Sequence, residues 1–335
     1  MRDPLVTLAH GAGGKATRDL VEGLFLEELG SEPLAALGDA ALVDGGARLA
    51  FTTDSYVVKP LVFPGGDIGE LAVNGTVNDL AMVGARPRWL SAGFVIEEGF
   101  PVDELRHIAA SAGRAAAAAG VAIVAGDTKV VEKGKGDGLY VTTAGVGVVD
   151  EGVDLSPARV RPGDRVLLSG TLADHGMAVL VARGDLALEA TIESDTAPLH
   201  ELSAALVGLG DGLRWMRDPT RGGLATALNE LAAAAGCAVV LDESSLPVEP
   251  AVHAACEILG IDPLYVASEG RLVAVVAPEV ASRALSQLHA HRLGENAVDL
   301  GEIRDEPEGL VLLDTALGGS RIVDVLVGDP LPRIC

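Results

Sequence analysis

The order of apolar segments along this chain constrains its fold more than any other feature. Runs with strand composition occur at Arg88–Ile96 and Leu139–Val149. Helical spacing occurs at Ile68–Val83, and a further helix is predicted from Pro101 to Ala119. Two apolar stretches meet at Asp44-Gly45-Gly46-Ala47, a sequence typical of a hairpin turn. Because strands and helices are mixed without a regular βαβ repeat, the pattern predicts an α+β architecture rather than a doubly wound sheet.

A change in composition divides the chain into two parts. Its 335 residues are enough for two domains, and glycine, proline and charged residues cluster at Asp150–Asp164. We therefore expect an N-terminal domain over residues 1–150 and a C-terminal domain over residues 151–325. Residues 326–335 form a tail that ends in Cys335, and two prolines in this tail predict an extended or mobile segment.

The charge balance limits the partners of the protein. The chain has 25 Lys and Arg against 48 Asp and Glu, a formal net charge of −23. Such a polyanion repels phosphate backbones and anionic lipids, so we expect no nucleic-acid partner and no membrane partner. No apolar run approaches the ~20 residues of a membrane span, and the N-terminus does not resemble a signal peptide, which predicts a cytoplasmic protein. A polyphosphate ligand would need help from metal ions or backbone N–H groups.

Two glycine-rich segments are candidates for binding an anion. Gly11-Ala12-Gly13-Gly14-Lys15-Ala16 follows a predicted strand and formally fits the dinucleotide pattern G-x-G-x-x-A, but the expected acidic residue is poorly placed. A P-loop is excluded because Ala16 stands where Ser or Thr is needed. An anion site at a helix N-terminus and a simple tight turn both remain open. The second segment, Thr220-Arg221-Gly222-Gly223, precedes a predicted helix, and Arg221 can fork onto a phosphate.

Five aspartates lie beside glycine or threonine or at predicted strand ends, where loops gather around a cleft. They are Asp39, Asp54, Asp79, Asp127 and Asp218. Carboxylate oxygens are the ligands that Mg²⁺ prefers, and Mg²⁺ commonly bridges phosphates. The pattern indicates a shared metal–phosphate site, although any one of these aspartates could instead be a solvated surface group.

Two further charged residues are set among small or apolar neighbours, where burial shifts pKa values. Lys129 follows the strand Val121–Ala125, which we expect to be buried, and Glu269 precedes the apolar strand Leu272–Ala277. They are candidates for proton transfer or for an interdomain ion pair. His175 is interpreted as structural or cap-related. Cys237 and Cys256 have the surroundings of core residues, whereas the terminal Cys335 is either a working thiol or a chance terminus.

Several of these segments together resemble one known family. The matches are His10–Gly14, Thr53–Val58, Phe63–Gly69, Asn74–Asp79, Gly126–Val131, Asp218–Gly223 and the terminal Pro332-Arg333-Ile334-Cys335. The chain is similar to the HypE family of hydrogenase maturation proteins, within the AIR-synthetase (PurM-like) superfamily. It departs from the superfamily pattern at Gly38-Asp39-Ala40, where many members have a second aspartate that could bind metal.

The resemblance implies a two-domain PurM-like fold and an ATP- and Mg²⁺-dependent carbamoyl dehydratase that forms a homodimer. A HypF-type carbamoyltransferase would load Cys335, and the resulting cyanide would pass to iron on a HypC–HypD complex. The resemblance also implies nucleotide contacts from Gly11, Gly13, Gly14, Lys15, Thr53, Asn78, Thr128 and Thr220–Gly223. Glu269 and Lys129 are the candidate bases. Two alternatives remain: a small-molecule kinase or synthetase of the same superfamily, and a non-catalytic thiol carrier.

Overall fold

The structure, a computed structural model, describes residues 15–20, 22, 41–44, 47–184, 191–326 and 333–335. The expectations for Gly11, Gly13, Gly14 and Asp39 lie outside these residues. Within them, no helix is long and apolar enough to cross a membrane.

One sheet carries the first half of the chain. The first elements are α1 (Lys15–Leu20), β1 (Ala41–Asp44), β2 (Arg48–Tyr56), β3 (Val62–Phe63), β4 (Gly66–Asp67), α2 (Ile68–Met82), β5 (Ala85–Glu97), α3 (Val102–Ala118), β6 (Ala122–Val131) and β7 (Leu139–Val149). Five strands form a sheet in the order β1-β2-β7-β5-β6, in which only the β5–β6 pair is parallel. The β1–β2 hairpin confirms the predicted turn, because Asp44 pairs with Arg48 across it. Strands β3 and β4 form a separate small hairpin.

A second, larger sheet carries the other half. Its strands and helices are β8 (Arg165–Leu168), α4 (Asp174–Ala182), α5 (His200–Val207), β9 (Leu213–Arg217), α6 (Gly223–Ala235), β10 (Ala238–Asp242), α7 (Pro250–Leu259), β11 (Val273–Val276), α8 (Pro278–His289), β12 (Val298–Arg304), β13 (Val311–Asp314) and β14 (Ser320–Ile322). The strand order is β14-β13-β10-β12-β8-β11-β9, and only β10–β13 is parallel. The mostly antiparallel sheets confirm the α+β class.

Helix α2 lies between the two halves. It begins at the N-cap Asp67, whose carboxylate accepts hydrogen bonds from the N–H groups of Gly69 and Glu70 at 2.7 and 3.1 Å. The helix packs on the first sheet and on α3, and it also contacts α5 of the second half. Nearly every residue of α2 is therefore buried, and its sequence lacks the one-sided apolar stripe of a surface helix.

Strand β6 is more exposed than the sequence indicates. We expected Val121–Ala125 to be buried, but residues 122–130 are all solvent-exposed, and only Val121 is buried. The apolar run is typical of a buried strand, yet among the described residues β6 is the last strand of its sheet and pairs with β5 alone. Position in the sheet, which a local pattern does not encode, decides this difference.

Candidate functional site

The tip of the C-terminal tail is docked inside the protein. The N–H of Val57 donates to the carbonyl of Cys335 at 3.2 Å, and the N–H of Lys59 donates to the carbonyl of Arg333 at 3.1 Å. Ile334 and Cys335 are buried. The tail prolines predict an extended or mobile segment, and hydrogen bonds that a sequence cannot reveal hold its described tip, residues 333–335.

Docking brings the terminal thiol against a guanidinium group. Arg221 Nη1 donates to Cys335 Sγ at 3.2 Å, while its Nη2 lies 3.9 Å from Asp54 Oδ1. Burial raises the pKa of the Cys335 thiol to about 12, Arg221 opposes this, and the carboxylates of Glu269 and Asp54 add to it. The docked thiol is therefore protonated at neutral pH.

Glu269 lies in the same region, and its charge is poorly compensated. Its N–H donates to Asp195 Oδ1 at 3.0 Å and its carbonyl accepts from Asn78 at 3.0 Å, but Oε1 is buried without a hydrogen-bond partner. Burial raises the pKa of Glu269 well above its ordinary value, and the fields of Asp218, Asp195 and Asp54 raise it further. Arg221 is the only cation among the principal causes, and it acts in the opposite direction.

Three of the predicted metal-binding aspartates share this region. Asp54 and Asp218 both act on Glu269, and Asp54 and Asp79 both raise the pKa of Tyr56, for which burial is the largest cause. Asp79 accepts a hydrogen bond from Thr52 at 2.7 Å. Among the described residues, no three acidic, histidine or cysteine side chains already form a metal cluster. The residues still fit Mg²⁺, which needs only one or two carboxylates beside phosphate oxygens and water, and the unpaired oxygen of Glu269 indicates missing positive charge.

The residues predicted on β6 lie elsewhere in a single chain. Asp127 and Lys129 are 69% and 66% exposed and pair with each other at 2.6 Å, and Thr128 between them is exposed. Across β2, β7, β5 and β6, Asp127 lies in the row of Ser55, the residue after Asp54, and Gly126 lies in the row of Asp54. Strand β6 lies three strand spacings from β2, which corresponds to about 14 Å. The expectation that Lys129 is buried among apolar neighbours is thus corrected, because an edge strand leaves its side chain in solvent.

Two predicted nucleotide contacts are engaged within the protein. Thr53 points to the opposite face of β2 from Asp54, and its hydroxyl donates to the carbonyl of Thr143 at 2.9 Å. Asn78 is fully buried; its amide donates to the carbonyls of Ala197 and Glu269, and its oxygen accepts from the N–H of Leu199. In this structure Asn78 fastens the two halves together, a role that its position in α2 did not reveal.

The Thr220–Gly223 turn lines a polar cavity of about 130 Å³ at the start of α6. Arg221 and Thr220 line it, as expected for a phosphate site. Gly222 and Gly223 have φ values of 79° and 63°. A Cβ at Gly223 would lie 2.4 Å from the carbonyl oxygen of Leu264, and the Gly223 N–H already donates to Thr220 at 2.8 Å. Gly223 thus permits close backbone packing, and nucleotide contacts from Gly222 and Gly223 stay a prediction.

Helix α1 lies near this cavity. Lys15 begins the helix and is exposed. Glu230 lines the cavity, and its carboxylate is close enough to Arg18 to contribute to the raised pKa of that residue. The hydrogen bond from Arg18 to Glu22 is the largest cause of that raised pKa. Lys15 therefore remains a prediction that the location of α1 supports.

His175 contacts the tail, which the sequence did not reveal. It is fully buried; Nε2 lies 2.6 Å from the carbonyl oxygen of Ile334, and Nδ1 lies 2.8 Å from Ser194 Oγ. Burial lowers the pKa of His175 below its ordinary value. The only sequence signal was a histidine at the start of an apolar helix, and that signal also fits a structural role.

Two family models match most of the chain. The N-terminal domain of AIR synthase related proteins matches residues 37–149, and the C-terminal domain matches residues 161–313. Thiamine monophosphate kinase from Aquifex aeolicus, with a TM-score of 0.62 and 18% identity over 88% of this chain and 96% of that one, shares the fold. The PurM-like architecture is thereby confirmed.

Two relatives with higher identity share one name. Carbamoyl dehydratase HypE of Rhodobacter capsulatus is 56% identical over 100% of this chain and 99% of its own, and that of Escherichia coli (strain K12) is 45% identical over 98% and 99%. A HypE–HypF complex superimposes with a TM-score of 0.88 at 48% identity over 92% of this chain and 99% of that one. A structure of HypE in complex with ATP superimposes with a TM-score of 0.83 at 44% identity, over 99% of this chain and 100% of that one. The chain therefore belongs to the HypE family of carbamoyl dehydratases.

Proposed function

We propose that this chain uses ATP to dehydrate an S-carbamoyl group on its own Cys335 to a thiocyanate, the source of the cyanide ligand for iron in nickel–iron hydrogenase. The observation that carries the proposal is the docked position of Cys335. Its sulfur lies against Arg221, within the field of Glu269, a buried carboxyl with an unpaired oxygen. A kinase acting on a small molecule would leave this docked thiol without a role.

The chemistry needs an activated oxygen and a base. The carboxamide oxygen is a poor leaving group, and transfer of the terminal phosphoryl group of ATP to it, with release of ADP, makes it a good one. The C–O bond then breaks as phosphate departs, and the two N–H protons are lost as the C≡N bond forms. Arg221, already beside the sulfur, would orient the group at the start of this sequence.

Glu269 is the proton acceptor that the geometry supports. A carboxyl group with a raised pKa is a stronger base once ionised, and Glu269 has an oxygen without a hydrogen-bond partner. Lys129 of the same chain is exposed and paired with Asp127. We therefore assign the role to Glu269 and not to Lys129 of the same chain.

Asp54, Asp79 and Asp218 are the residues that would hold Mg²⁺. When bound, the ion would neutralise phosphate charge in a protein of net charge −23. We expect ATP binding to be lost in excess EDTA, and Asp218→Asn to weaken ATP binding when magnesium is present. Equal nucleotide affinity with and without EDTA, measured by calorimetry, would remove the metal from the proposal.

The partners follow from the state of the thiol. Docked Cys335 is protonated and buried, so it is a weak nucleophile, and we propose that it receives its carbamoyl group from a HypF-type carbamoyltransferase when the tail is undocked. The HypE–HypF complex among the similar structures supports this partner. We further propose transfer of cyanide to a HypC–HypD complex, in the reducing cytoplasm, where Cys335 stays a thiol.

The test separates loading from dehydration. In Glu269→Gln, glutamine keeps the shape but cannot accept the proton, so the carbamoyl adduct on the C-terminal peptide should persist after incubation with ATP and a carbamoyl donor system. Mass spectrometry distinguishes this adduct from thiocyanate, which is lighter by the elements of water. The exposed Glu257→Gln serves as a matched control and should form thiocyanate normally. Thiocyanate at the wild-type yield in Glu269→Gln would exclude Glu269 as the base.

A further inference from the structure

The docked tail is bound through its backbone to the segment that follows β2. The two hydrogen bonds from Val57 and Lys59 are spaced two residues apart on both segments and run in opposite directions along the chain. Alternate N–H groups of one segment thus donate to alternate carbonyls of the other, as in the binding of a peptide beside a strand, although Arg333, with a φ of 61°, is not in β conformation. Backbone bonds of this kind give affinity but no selectivity, so selectivity must come from side chains.

His175 contacts the tail backbone between these two hydrogen bonds, at the carbonyl of Ile334. A carbonyl oxygen only accepts, so His175 Nε2 carries the proton, and in the neutral ring Nδ1 accepts from the Ser194 hydroxyl. The N–H of Thr196 in turn donates to Ser194 Oγ at 3.1 Å. This chain of donors fixes one tautomer and aims the ring at the tail.

The side chain of Arg333 is recognised by charge. Its guanidinium pairs with Asp137, which also lies 3.6 Å from Lys59 Nζ. Arg183 Nη2 donates to the carbonyl of Arg333 at 2.8 Å, and its Nε donates to the carbonyl of Lys59 at 2.9 Å. Arg183 therefore ties the tail to the segment that carries Lys59.

The side chain of Ile334 is buried as part of the main hydrophobic core, with 5% exposure. Arg333 is only partly buried, and Cys335 faces Arg221. Each of the last three residues thus meets a different environment: a carboxylate, an apolar core and a guanidinium. A site that merely tolerated a loose terminus would not match three successive side chains in this way.

We propose that Asp137, His175 and Arg183 hold the docked tail and position the Cys335 sulfur beside Arg221: His175 and Arg183 bind the tail backbone, and Asp137 selects the Arg333 side chain. The three are positioning residues, because they hold the tail and do not touch the reacting atoms. The proposal rests on the proposed function only for the reason why the tail docks. Its contacts and its test require neither nucleotide nor a carbamoyl group, so it can fail while dehydration stands.

The test measures how well docking protects Cys335 from alkylation by iodoacetamide in the full chain, with each cysteine followed by mass spectrometry. His175→Phe removes the donor and should raise the Cys335 alkylation rate about tenfold, as expected for a buried carbonyl that loses its hydrogen bond. His175→Gln can still donate and should restore part of the protection. Cys237 and Cys256 are buried and should stay unreactive, which shows that the fold is intact.

The Asp137–Arg333 pair gives a second arm that does not disturb the core. Asp137→Asn and Arg333→Leu should each speed alkylation, and the double variant should be no faster than Arg333→Leu alone, because both remove one interaction. Glu132→Gln, an exposed carboxylate in the same connection, should match wild type. Equal rates in wild type and in His175→Phe, or additive effects of Asp137→Asn and Arg333→Leu, would overturn the proposal. Should His175→Phe fail to fold, the Asp137–Arg333 pair decides.

Discussion

Asp174 shows at the scale of a single residue how burial acts on acidic side chains near the docked tail. It begins α4 directly before His175, accepts a hydrogen bond from Thr171 and lies 3.5 Å from Arg271. Burial raises its pKa to about 6, and the field of Asp195 adds to this, whereas Thr171 and Arg271 oppose it. Asp174 is thus an acid whose charge the fold tolerates poorly.

This gives a pH-dependent prediction. Because the folded pKa of about 6 lies above the ordinary 3.8, the stability that protonated Asp174 contributes is present below that ordinary value and is lost as the pH rises through about 6. Asp174→Asn removes this titration. The free energy of unfolding of the variant, relative to that of wild type, should therefore increase by up to about 3 kcal/mol between about pH 4 and pH 7. Denaturant unfolding of both proteins across this range measures it. Asp211→Asn, at a 97% exposed side chain, should show no such trend, and a constant difference for Asp174→Asn would contradict the assigned pKa.

At the scale of elements, the part of the chain that the structure describes covers one face of the first sheet and leaves apolar side chains exposed on the other. Helices α2 and α3 cover one side, whereas Phe51 and Trp89 are 45% and 47% exposed on strands β2 and β5. The edge strand β6 adds the exposed Val124 and Val130. An apolar face beside an edge that no described strand pairs favours self-association, so we propose that this sheet forms the homodimer interface.

Substitution on β6 tests the interface. The intact protein should sediment as a dimer at micromolar concentration, and Val124→Asp should shift it toward the 34.1 kDa monomer, because a charge would be buried at the contact. Val102→Asp is the matched control: its side chain is equally apolar and 67% exposed, but it lies on α3, on the covered side of the sheet. A 34.1 kDa species for the wild-type protein would contradict the proposed dimer.

At the scale of the whole molecule, hydrogen bonds made by α2 join the two halves. Asn74 donates to Thr196 Oγ1, Asn78 bonds three groups of the second half, and the Ser203 hydroxyl donates to the carbonyl of Ala81 at 2.7 Å. Asn78 also holds the carbonyl of Glu269. The link that holds the halves together therefore also fixes the position of the candidate base.

The amino-acid sequence by itself determined what is local or carried by whole motifs: the α+β class, the β1–β2 hairpin, α2 within one residue, β7 exactly, and the family. Local patterns suffice for these because hydrophobic period and turn chemistry act over a few residues. Only the tertiary structure decided that β6 is an exposed edge, that Asn78 joins the halves, and that His175 holds the tail. Each of these depends on partners more than 30 residues away or on position within a sheet. Burial and hydrogen bonding between distant segments are set by packing, which no local pattern contains.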